Sequence, residues 1–305
     1  MFEVTEAALQ SSTQSTDTPT QPPELRNRVP AGPHGPVIHI RARGRWAPLD
    51  MAEIWRYREL MWFFVWRDVK VRYKQTALGI AWAVLQPVMT MLVFTLVFSR
   101  LAHVATGGTP YPLFAYCGLL PWQLFAFSLG EASNSVVSNE RLISKVYFPR
   151  ILAPVAAACS GLMDTAISFL MLLGMFAWYG IRPSPNIIAL PAFLLLALVT
   201  ALAVGIVMAA LNVRYRDVRY VLPFLTQFWL LATPVAYPAA LIPERWRIVY
   251  GLNPMTGVVE GFRWCLLGGN PPGAVVAVSA AIVVALFVVG VYYFRSVERS
   301  FADVV

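Results

Sequence analysis

The chain has 305 residues, of which 58% are hydrophobic and only 13% are charged, and its formal net charge at pH 7 is +8. A soluble domain carries about 25% charged residues because its surface must meet water, so this composition excludes an ordinary soluble globular protein. Three cysteines without a C-x-x-C spacing argue against a disulfide framework, and three scattered histidines predict no metal site. We therefore expect an integral membrane protein.

The first 47 residues are polar and rich in proline, and they contain no apolar run of the kind found in a signal peptide. Such a composition does not bury enough apolar surface to fold alone. Residues 1–47 are therefore predicted to form a disordered tail, on the cytoplasmic side of the membrane.

The segment 48–77 has the periodicity of a helix. Five charged residues fall on one face and five apolar residues on another: Arg56, Glu59, Arg67, Lys70 and Lys74 against Ile54, Met61, Trp62, Val65 and Val69. A helix of this kind, rich in basic residues and tryptophan, is typical of one that lies in the membrane surface. Two roles stay open from the pattern alone: an anchor that only fixes topology, or a working part of the protein.

Residues 78–305 contain six apolar runs near the length of about 20 residues that a membrane-spanning helix needs. In chain order they are Leu78–Phe98, Tyr111–Leu129, Ile151–Trp178, Ile187–Leu211, Val221–Tyr237 and Ala274–Phe294. Prolines interrupt the second and the fifth run, so either could be buried or re-entrant instead of spanning. With six spans, one side of the membrane receives 19 of the 24 Lys and Arg residues, and both termini are predicted to be cytoplasmic.

Residues 238–273 form the longest segment between two predicted spans. Proline and glycine divide it into two short apolar pieces, Trp246–Leu252 and Met255–Leu267, which are too short to cross a bilayer. Backbone at membrane depth that is not a spanning helix must be covered by protein or line a cavity. The pattern predicts a re-entrant helical hairpin between the fifth and sixth spans, within an all-α membrane fold.

The absence of several motifs limits the classes of function that this chain can have. No G-x-x-x-x-G-K-[ST], G-x-S-x-G, H-E-x-x-H or G-x-G-x-x-G motif occurs, so this chain has no phosphate-binding loop for ATP. The only acidic residue inside the predicted spans is Asp164, which is either a functional group or a hydrogen-bond partner of Ser or Thr on a neighbouring helix. One isolated acid does not suffice for an ion-coupled carrier or a metal-dependent transferase. We therefore expect another chain to supply the energy.

Five strings of residues resemble those of ABC-2 type permeases, in order and in spacing. They are Arg72–Trp82 with Leu85–Pro87, Gly118–Trp122, Leu142–Arg150, Asn212–Val218 and Asn253–Met255. The subgroup that they resemble exports lipid-linked polysaccharides such as O-antigen, teichoic acid and polyol phosphate polymers. The resemblance covers residues 49–305 and does not extend to the N-terminal tail.

The resemblance implies a homodimer that works with two copies of a separate ATPase subunit and opens a channel along the dimer axis. ATP and Mg²⁺ would bind to that subunit, so this chain is expected to be a permease without a cofactor, not an enzyme. Its expected location is the bacterial inner membrane, its substrate a polysaccharide linked to undecaprenyl pyrophosphate, and no nucleic-acid partner is expected. The alternatives are an ABC-2 exporter of a small drug or lipid, an ion-coupled secondary carrier, and a scaffold without transport.

Four groups of residues receive expected roles on this basis. The segment Ser138–Arg150 is expected to dock into the ATPase as a coupling helix, through Asn139, Glu140, Arg141, Leu142, Ile143, Lys145 and Val146. Bases expected to attract the pyrophosphate at a gate helix or, alternatively, anionic phospholipid are Arg67, Lys70, Arg72 and Lys74. A gate pair, or a plain topology signal, is expected in the second cytoplasmic loop from Arg214, Arg216 and Asp217. Aromatic residues expected to line a glycan channel, unless they form the interfacial belt, are Trp82, Trp122, Phe125, Phe228 and Tyr237.

Overall fold

In the computed structural model, the described residues are 51–74, 81–101, 103, 106–298 and 301, and their regular structure is entirely helical. This confirms the predicted all-α class for that part of the chain. The predicted tail (1–47), both ends of the predicted gate helix (48–50 and 75–77) and the start of the predicted first span (78–80) lie outside the described residues.

The described chain contains eleven α-helices. They are α1 Met51–Arg56, α2 Arg58–Lys74, α3 Ala81–Phe94, α4 Tyr111–Ser138, α5 Glu140–Ile143, α6 Leu152–Trp178, α7 Leu190–Arg214, α8 Val218–Ala232, α9 Glu244–Tyr250, α10 Pro254–Leu267 and α11 Gly273–Val297. A π-helical stretch, Thr95–Leu101, continues α3, and 3₁₀ turns at Pro185–Ala189 and Ala239–Leu241 precede α7 and α9.

Five of the six predicted spans are confirmed as helices long and apolar enough to cross a membrane: α3 with its π-helical extension, α4, α6, α7 with its 3₁₀ turn, and α11. The fifth predicted span, Val221–Tyr237, differs. The helix found there, α8, has 15 residues and a length of about 22 Å, less than the roughly 30 Å of bilayer hydrocarbon. Pro234 explains the early end, because the residue before a proline avoids helical geometry, and Thr233 is indeed extended (φ −100°, ψ 140°).

Helix α4 is the centre of the bundle and packs against α6 on one side and α7 on the other. Ser128 Oγ donates to the Ala158 carbonyl oxygen (2.8 Å) across the α4–α6 contact. Asn212 Nδ2 donates to the Ser133 carbonyl oxygen (3.1 Å) across the α4–α7 contact. Tyr116 Oη of α4 also donates to the Ser168 carbonyl oxygen of α6 (3.3 Å), so the two α4–α6 bonds show that these helices are antiparallel. The Asn212 bond places the ends of α4 and α7 on the same side. We call that side, where the short helix α5 lies, the α5 end of the bundle.

Two glycines permit the close approach of these helices. A Cβ at Gly161 of α6 would lie 2.6 Å from the Phe127 ring, and a Cβ at Gly205 of α7 would lie 2.8 Å from the Ala132 Cβ. Small residues at such contacts let helix backbones pack closely, which is the main source of helix association where water does not drive it.

Helices α9 and α10 occupy the segment 238–273 and match the two predicted apolar pieces. Asn253 caps α10, because its Oδ1 accepts from Met255 N (3.1 Å), and Pro254 is the first helical residue. Gly268 ends α10 with a left-handed φ of 79°. Most of α10 is buried, between α4, α7 and α11.

Arg263 of α10 is a cation buried inside the bundle. Its Nη1 and Nη2 donate to the carbonyl oxygens of Pro234 and Val235, and its guanidinium lies 3.7 Å from the centroid of the Phe114 ring. Gly118 leaves the necessary space, since a Cβ there would lie 2.8 Å from Nη2. The bonds satisfy carbonyl groups that the end of α8 leaves without helical partners, so Arg263 ties α10 to that break.

Candidate functional site at the junction of α2, α4 and α6

Helix α2 leans against the beginning of α6 and rises along it. Phe64, which is 1% exposed, packs edge-on against Phe148, four residues before α6 begins; the ring centroids are 5.6 Å apart. At the other end of α2, the Tyr73 hydroxyl donates to Asp164 Oδ1. Asp164 lies twelve residues inside α6, or about 18 Å along its axis. The last turn of α2 therefore reaches the middle of the bundle.

The predicted division of α2 into a charged and an apolar face needs one correction. Met61 and Val65, two residues of the predicted apolar face, pack toward the core beside Phe64. Trp62, however, is 68% exposed, at the edge of that face and beside Phe63 and other exposed aromatic residues. Helix α2 thus has a second apolar face that points away from the bundle, and a large exposed apolar face is typical of contact with lipid or with another protein.

Arg72 joins α2 to both α4 and α6. Its Nη1 lies 3.0 Å from Asp164 Oδ2, and its guanidinium stands 3.8 Å from the centroid of the Phe127 ring on α4. Asp164 therefore binds Arg72 and Tyr73 at once, which offsets the cost of about 2.5–3.5 kcal/mol for a lone carboxylate within a span. Among the described residues, the partners of Asp164 are these two side chains of α2, and no Ser or Thr side chain bonds it. We call Arg72, Tyr73 and Asp164 the α2 latch.

Two cavities meet at the α2 latch. The lower cavity, of about 520 Å³, extends toward the α5 end, and the upper cavity, of about 300 Å³, extends away from it. Arg72 and Phe127 line both cavities and so form the partition between them. Further polar residues around the lower cavity are Arg67, Asp68, Tyr73, Glu131, Ser138, Asn139 and Ser160. The upper cavity is lined by Trp82, Gln86, Gln123, Asp164, Thr165 and Ser168.

The four predicted gate bases separate into two kinds. Arg67 donates to Asp68 Oδ1 (2.8 Å), and Arg72 is held by Asp164, so both have a carboxylate that compensates their charge. Lys70 and Lys74 are exposed and make no ion pair with the described residues. The sequence patterns did not identify Asp68, Glu131 or Tyr73 as site residues. For Asp68 the sequence does contain a signal, because a carboxylate next to Arg67 can pair with it.

The segment Ser138–Arg150 lies at the α5 end and divides the predicted coupling residues into two sets. Outward-facing side chains are those of Glu140, Arg141, Lys145 and Val146. Inward-facing side chains are those of Asn139, Leu142 and Ile143, of which the last two pack on the bundle core. Asn139 Nδ2 donates to the Ser135 carbonyl oxygen (2.7 Å). The segment therefore has a fixed inner side and an accessible outer side.

Arg150, at the end of this segment, is fixed to the end of α11. Its backbone N donates to Glu298 Oε1 (3.3 Å), and its Nη1 donates to the Glu298 carbonyl oxygen. Burial raises the pKa of the Glu298 carboxyl group, while the hydrogen bond and the charge of Arg150 act in the opposite direction. The beginning of α6 is thereby held to the last spanning helix.

Comparison with known proteins assigns the chain to a family. The family model described as ABC-2 type transporter matches residues 59–267, which is more than half of the chain. The chain belongs to the ABC-2 type transporter family. The matched range runs from α2 to the end of α10 and contains all four groups of candidate residues. Membership confirms the expectation of a transporter membrane subunit and not an enzyme.

Similar proteins in this family have names that refer to polysaccharides. The O-antigen export system permease protein RfbA of Myxococcus xanthus is 30% identical over 255 residues, which cover 82% of this chain and 97% of the relative. A protein of the same name from Klebsiella pneumoniae is 25% identical over 243 residues, with coverage of 78% and 92%. The polysialic acid transport protein KpsM of Escherichia coli is 22% identical over 207 residues, with coverage of 67% and 79%.

The predicted loop-two residues of this ABC-2 transporter lie at the end of α7 and in the turn before α8, at the α5 end. Arg214, Arg216 and Asp217 are all exposed. The Arg214 guanidinium stands over the ring of the adjacent Tyr215, and no ion pair joins Arg216 to Asp217 in this part of the described chain. These residues are therefore neighbours along the chain, but they do not form the predicted gate pair.

The five predicted channel aromatics of the transporter occupy different environments. Trp82 and Phe228 are 52% and 57% exposed, and Tyr237 is half-buried, with its hydroxyl 2.7 Å from the hydroxyl of another tyrosine. Trp122 and Phe125 are 4% and 0% exposed, because they pack against each other and inside the bundle core. Three of the five side chains are thus accessible on this subunit, and the other two belong to the bundle core.

Proposed function

We propose that the chain is the membrane subunit of an ATP-driven exporter that moves a lipid-linked polysaccharide across the bacterial inner membrane. The observation that carries the proposal is near full-length similarity to proteins named as O-antigen export permeases, including 97% of the Myxococcus xanthus relative. Similarity to a polysialic acid transport protein supports polysaccharide, and not a small drug or lipid, as the transported class.

The ATPase is a separate subunit, present in two copies, and it binds ATP and Mg²⁺. The chain has no phosphate-binding loop of its own. The outer side of Ser138–Arg150 is the docking surface, with Glu140, Arg141 and Lys145 for polar contacts and Val146 as an apolar contact. Because Leu142 and Ile143 hold the inner side of the segment to the bundle, a push on the outer side is transmitted to α4 and α6.

The membrane arrangement that fits this function has six spans with both termini in the cytoplasm. The five long helices supply five spans, and α8 with the residues up to Tyr237 supplies the remaining one. Helices α9 and α10 then form a re-entrant hairpin on the outer side, for which burial of α10 among its neighbours is a favourable sign. The excess of Lys and Arg on the side of the α5 end makes that side cytoplasmic.

A second copy of the chain completes the transport path. Helices α3 and α8 expose apolar side chains over most of their length in this subunit, including Trp82 and Phe228. An apolar face of this extent is typical of an interface, and a homodimer joined near these helices has accessible aromatic residues beside its axis. Sugar rings have apolar C–H faces, so aromatic side chains there allow a polymer to slide without strong binding.

Helix α2 is the proposed gate for the lipid-linked end of the polymer. Its exposed aromatic face is suited to the membrane interface, and Lys70 and Lys74 remain available for the pyrophosphate group. Arg67 and Arg72 join them only if they leave Asp68 and Asp164, which now compensate their charge. The two lysines are therefore the first contacts for the pyrophosphate in this arrangement.

The proposal is tested in the bacterium that makes the protein. Deletion of the gene should abolish surface polysaccharide and leave lipid-linked polymer inside the cell, and the wild-type gene should restore export. The tagged chain, purified in mild detergent, should retain an ATPase with a phosphate-binding loop, identified by mass spectrometry. Unchanged surface polysaccharide after deletion, or a preparation without an ATPase under conditions that preserve other membrane complexes, contradicts the proposal.

A second experiment separates ATP-driven export from ion-coupled transport. In inverted membrane vesicles supplied with ATP, collapse of the proton gradient should leave transport of the polymer unchanged. Loss of transport under these conditions, together with its loss in Asp164→Asn, favours the ion-coupled carrier instead.

A further inference from the structure

The upper cavity contains two carboxamide side chains that no described residue satisfies. Gln86 of α3, which is exposed, and Gln123 of α4, which is half-buried, both line it. Neither side chain makes a hydrogen bond with the described part of the chain. Gln123 and Asp164 are the thirteenth residues of α4 and α6, so the cavity lies near the middle of two membrane-crossing helices. A carboxamide without partners is strongly unfavourable at that depth. The two glutamines therefore indicate an occupant that exchanges hydrogen bonds with them.

The charges around the upper cavity cancel. Arg72 lies 3.0 Å from Asp164, and no other charged side chain of the described residues lines the cavity. An anionic group such as a phosphate would find no uncompensated positive charge there. The cavity is therefore suited to a neutral ligand.

The remaining polar groups match hydroxyl groups. Thr165 Oγ1 and Ser168 Oγ already donate to backbone carbonyl oxygens, both at 2.9 Å, so their lone pairs are left to accept. Gln86 and Gln123 both donate and accept, as a hydroxyl group does. Trp82, which is about half exposed, adds a flat apolar wall. Amides, hydroxyls and one aromatic wall together are the groups that bind a sugar ring, whose edge is polar and whose faces are apolar.

We propose that the upper cavity binds one neutral sugar ring of the transported glycan. Trp82 packs against a face of the ring, and Gln86 and Gln123 exchange hydrogen bonds with its hydroxyl groups. The volume of about 300 Å³ is at the lower end of the range for small-molecule sites, which suits a single ring and not an oligosaccharide. Arg72 and Phe127 close the cavity toward the α5 end. This inference rests on the proposed export of a polysaccharide.

The first test replaces the two amides by apolar side chains of similar size in the complete exporter. Gln86→Leu and Gln123→Leu should each reduce export of the native polysaccharide about fivefold, as expected for one lost hydrogen bond. Neither should lower the thermal midpoint of the purified complex, since each removes a polar group that lacks a protein partner. The matched control is Thr90→Val: Thr90 lies on α3, already bonds the Gln86 carbonyl oxygen and does not line the cavity. Normal export by the Gln86→Leu/Gln123→Leu double variant overturns the proposal and leaves water as the occupant.

The second test detects the sugar directly. A photoreactive benzophenone amino acid in place of Trp82 should cross-link to the polysaccharide in living cells and give a ladder on a gel stained for glycan. The control position is Trp178, at the opposite end of α6 from the α5 end and 87% exposed, which should give no ladder. Equal labelling at both positions, or none at Trp82 while export continues, overturns the proposal. If deletion of the gene leaves surface polysaccharide unchanged, the proposed function fails. If deletion abolishes surface polysaccharide but the glutamine variants export normally or Trp82 gives no specific cross-link, only the sugar site is rejected.

Discussion

The ion pair between Arg72 and Asp164 gives a quantitative prediction about the attachment of α2. At the observed distance of 3.0 Å, the gross Coulomb energy is about 5–6 kcal/mol at an effective dielectric constant of about 20. The side chains are 42% and 23% exposed, so water screens the pair and desolvation offsets a further part of its energy. We expect a net coupling free energy of about 1–2 kcal/mol.

Asp164→Asn and Arg72→Gln should each lower the free energy of local opening of α2 by about 1–2 kcal/mol. The effects of the two substitutions should fall short of additivity by about 1–2 kcal/mol, because either one alone already removes the ion pair. The assay is hydrogen–deuterium exchange of the α2 amides in lipid nanodiscs, which reports the free energy of local opening. A coupling of about 1–2 kcal/mol corresponds to exchange about 5 to 30 times faster than in the wild type.

The control for this prediction lies in the same helix. Arg58 is 4.0 Å from Glu59, and both side chains are largely exposed, at 53% and 91%. An exposed pair contributes little to stability, so Arg58→Gln should leave the exchange of α2 unchanged. Additive effects of the two substitutions at the latch, or wild-type exchange in all variants, would refute the reasoning.

Three further predictions concern the segment Ser138–Arg150 and the clamp formed by Arg263, which holds the Pro234 and Val235 carbonyl groups. Gly118→Ala should lower the free energy of unfolding by about 1–3 kcal/mol, since its Cβ would lie 2.8 Å from the buried guanidinium; Gly130→Ala, in open space, is the control, and equal thermal midpoints contradict the clamp. Glu140→Lys with Arg141→Glu should abolish co-purification of the ATPase at an unchanged thermal midpoint, and a retained ATPase rejects this docking surface. Ile143→Asp should instead destabilise the subunit itself by about 3 kcal/mol or more, because it buries a charge; an unchanged midpoint shows that Ile143 does not anchor the segment.

The five long apolar helices could be predicted because each combines sufficient length with an almost unbroken apolar composition. The end of α8 could not be predicted in this way, since hydropathy averages over a window in which one proline changes little. Pro234 alone ends the helix, whatever the mean hydropathy of the window, and Thr233 is already extended. Pro234 is visible in the sequence, so a rule for the residue before proline would have placed this end correctly.

The candidate site was predictable residue by residue but not as a set of contacts. Arg72 was singled out as a base for the substrate and Asp164 as an isolated acid, and the two are far apart in sequence. Their contact depends on the angle at which α2 rises along α6, which periodicity within α2 does not contain. Similarly, Trp122 and Phe125 are core residues on a helix that is apolar on nearly every side, so sequence spacing does not reveal which face packs inward.

On the proposed function, α6 is the helix through which motion of the ATPase reaches α2. The coupling segment leads directly into α6, and Phe148 in that segment contacts Phe64 in the first half of α2. Farther along, Asp164 of α6 holds Arg72, whereas the ring that stacks on Arg72, Phe127, belongs to α4. A displacement of α6 relative to α4 therefore carries Arg72 with Asp164 and separates it from Phe127. Because these two side chains form the partition between the cavities, the same displacement joins the lower cavity to the upper one.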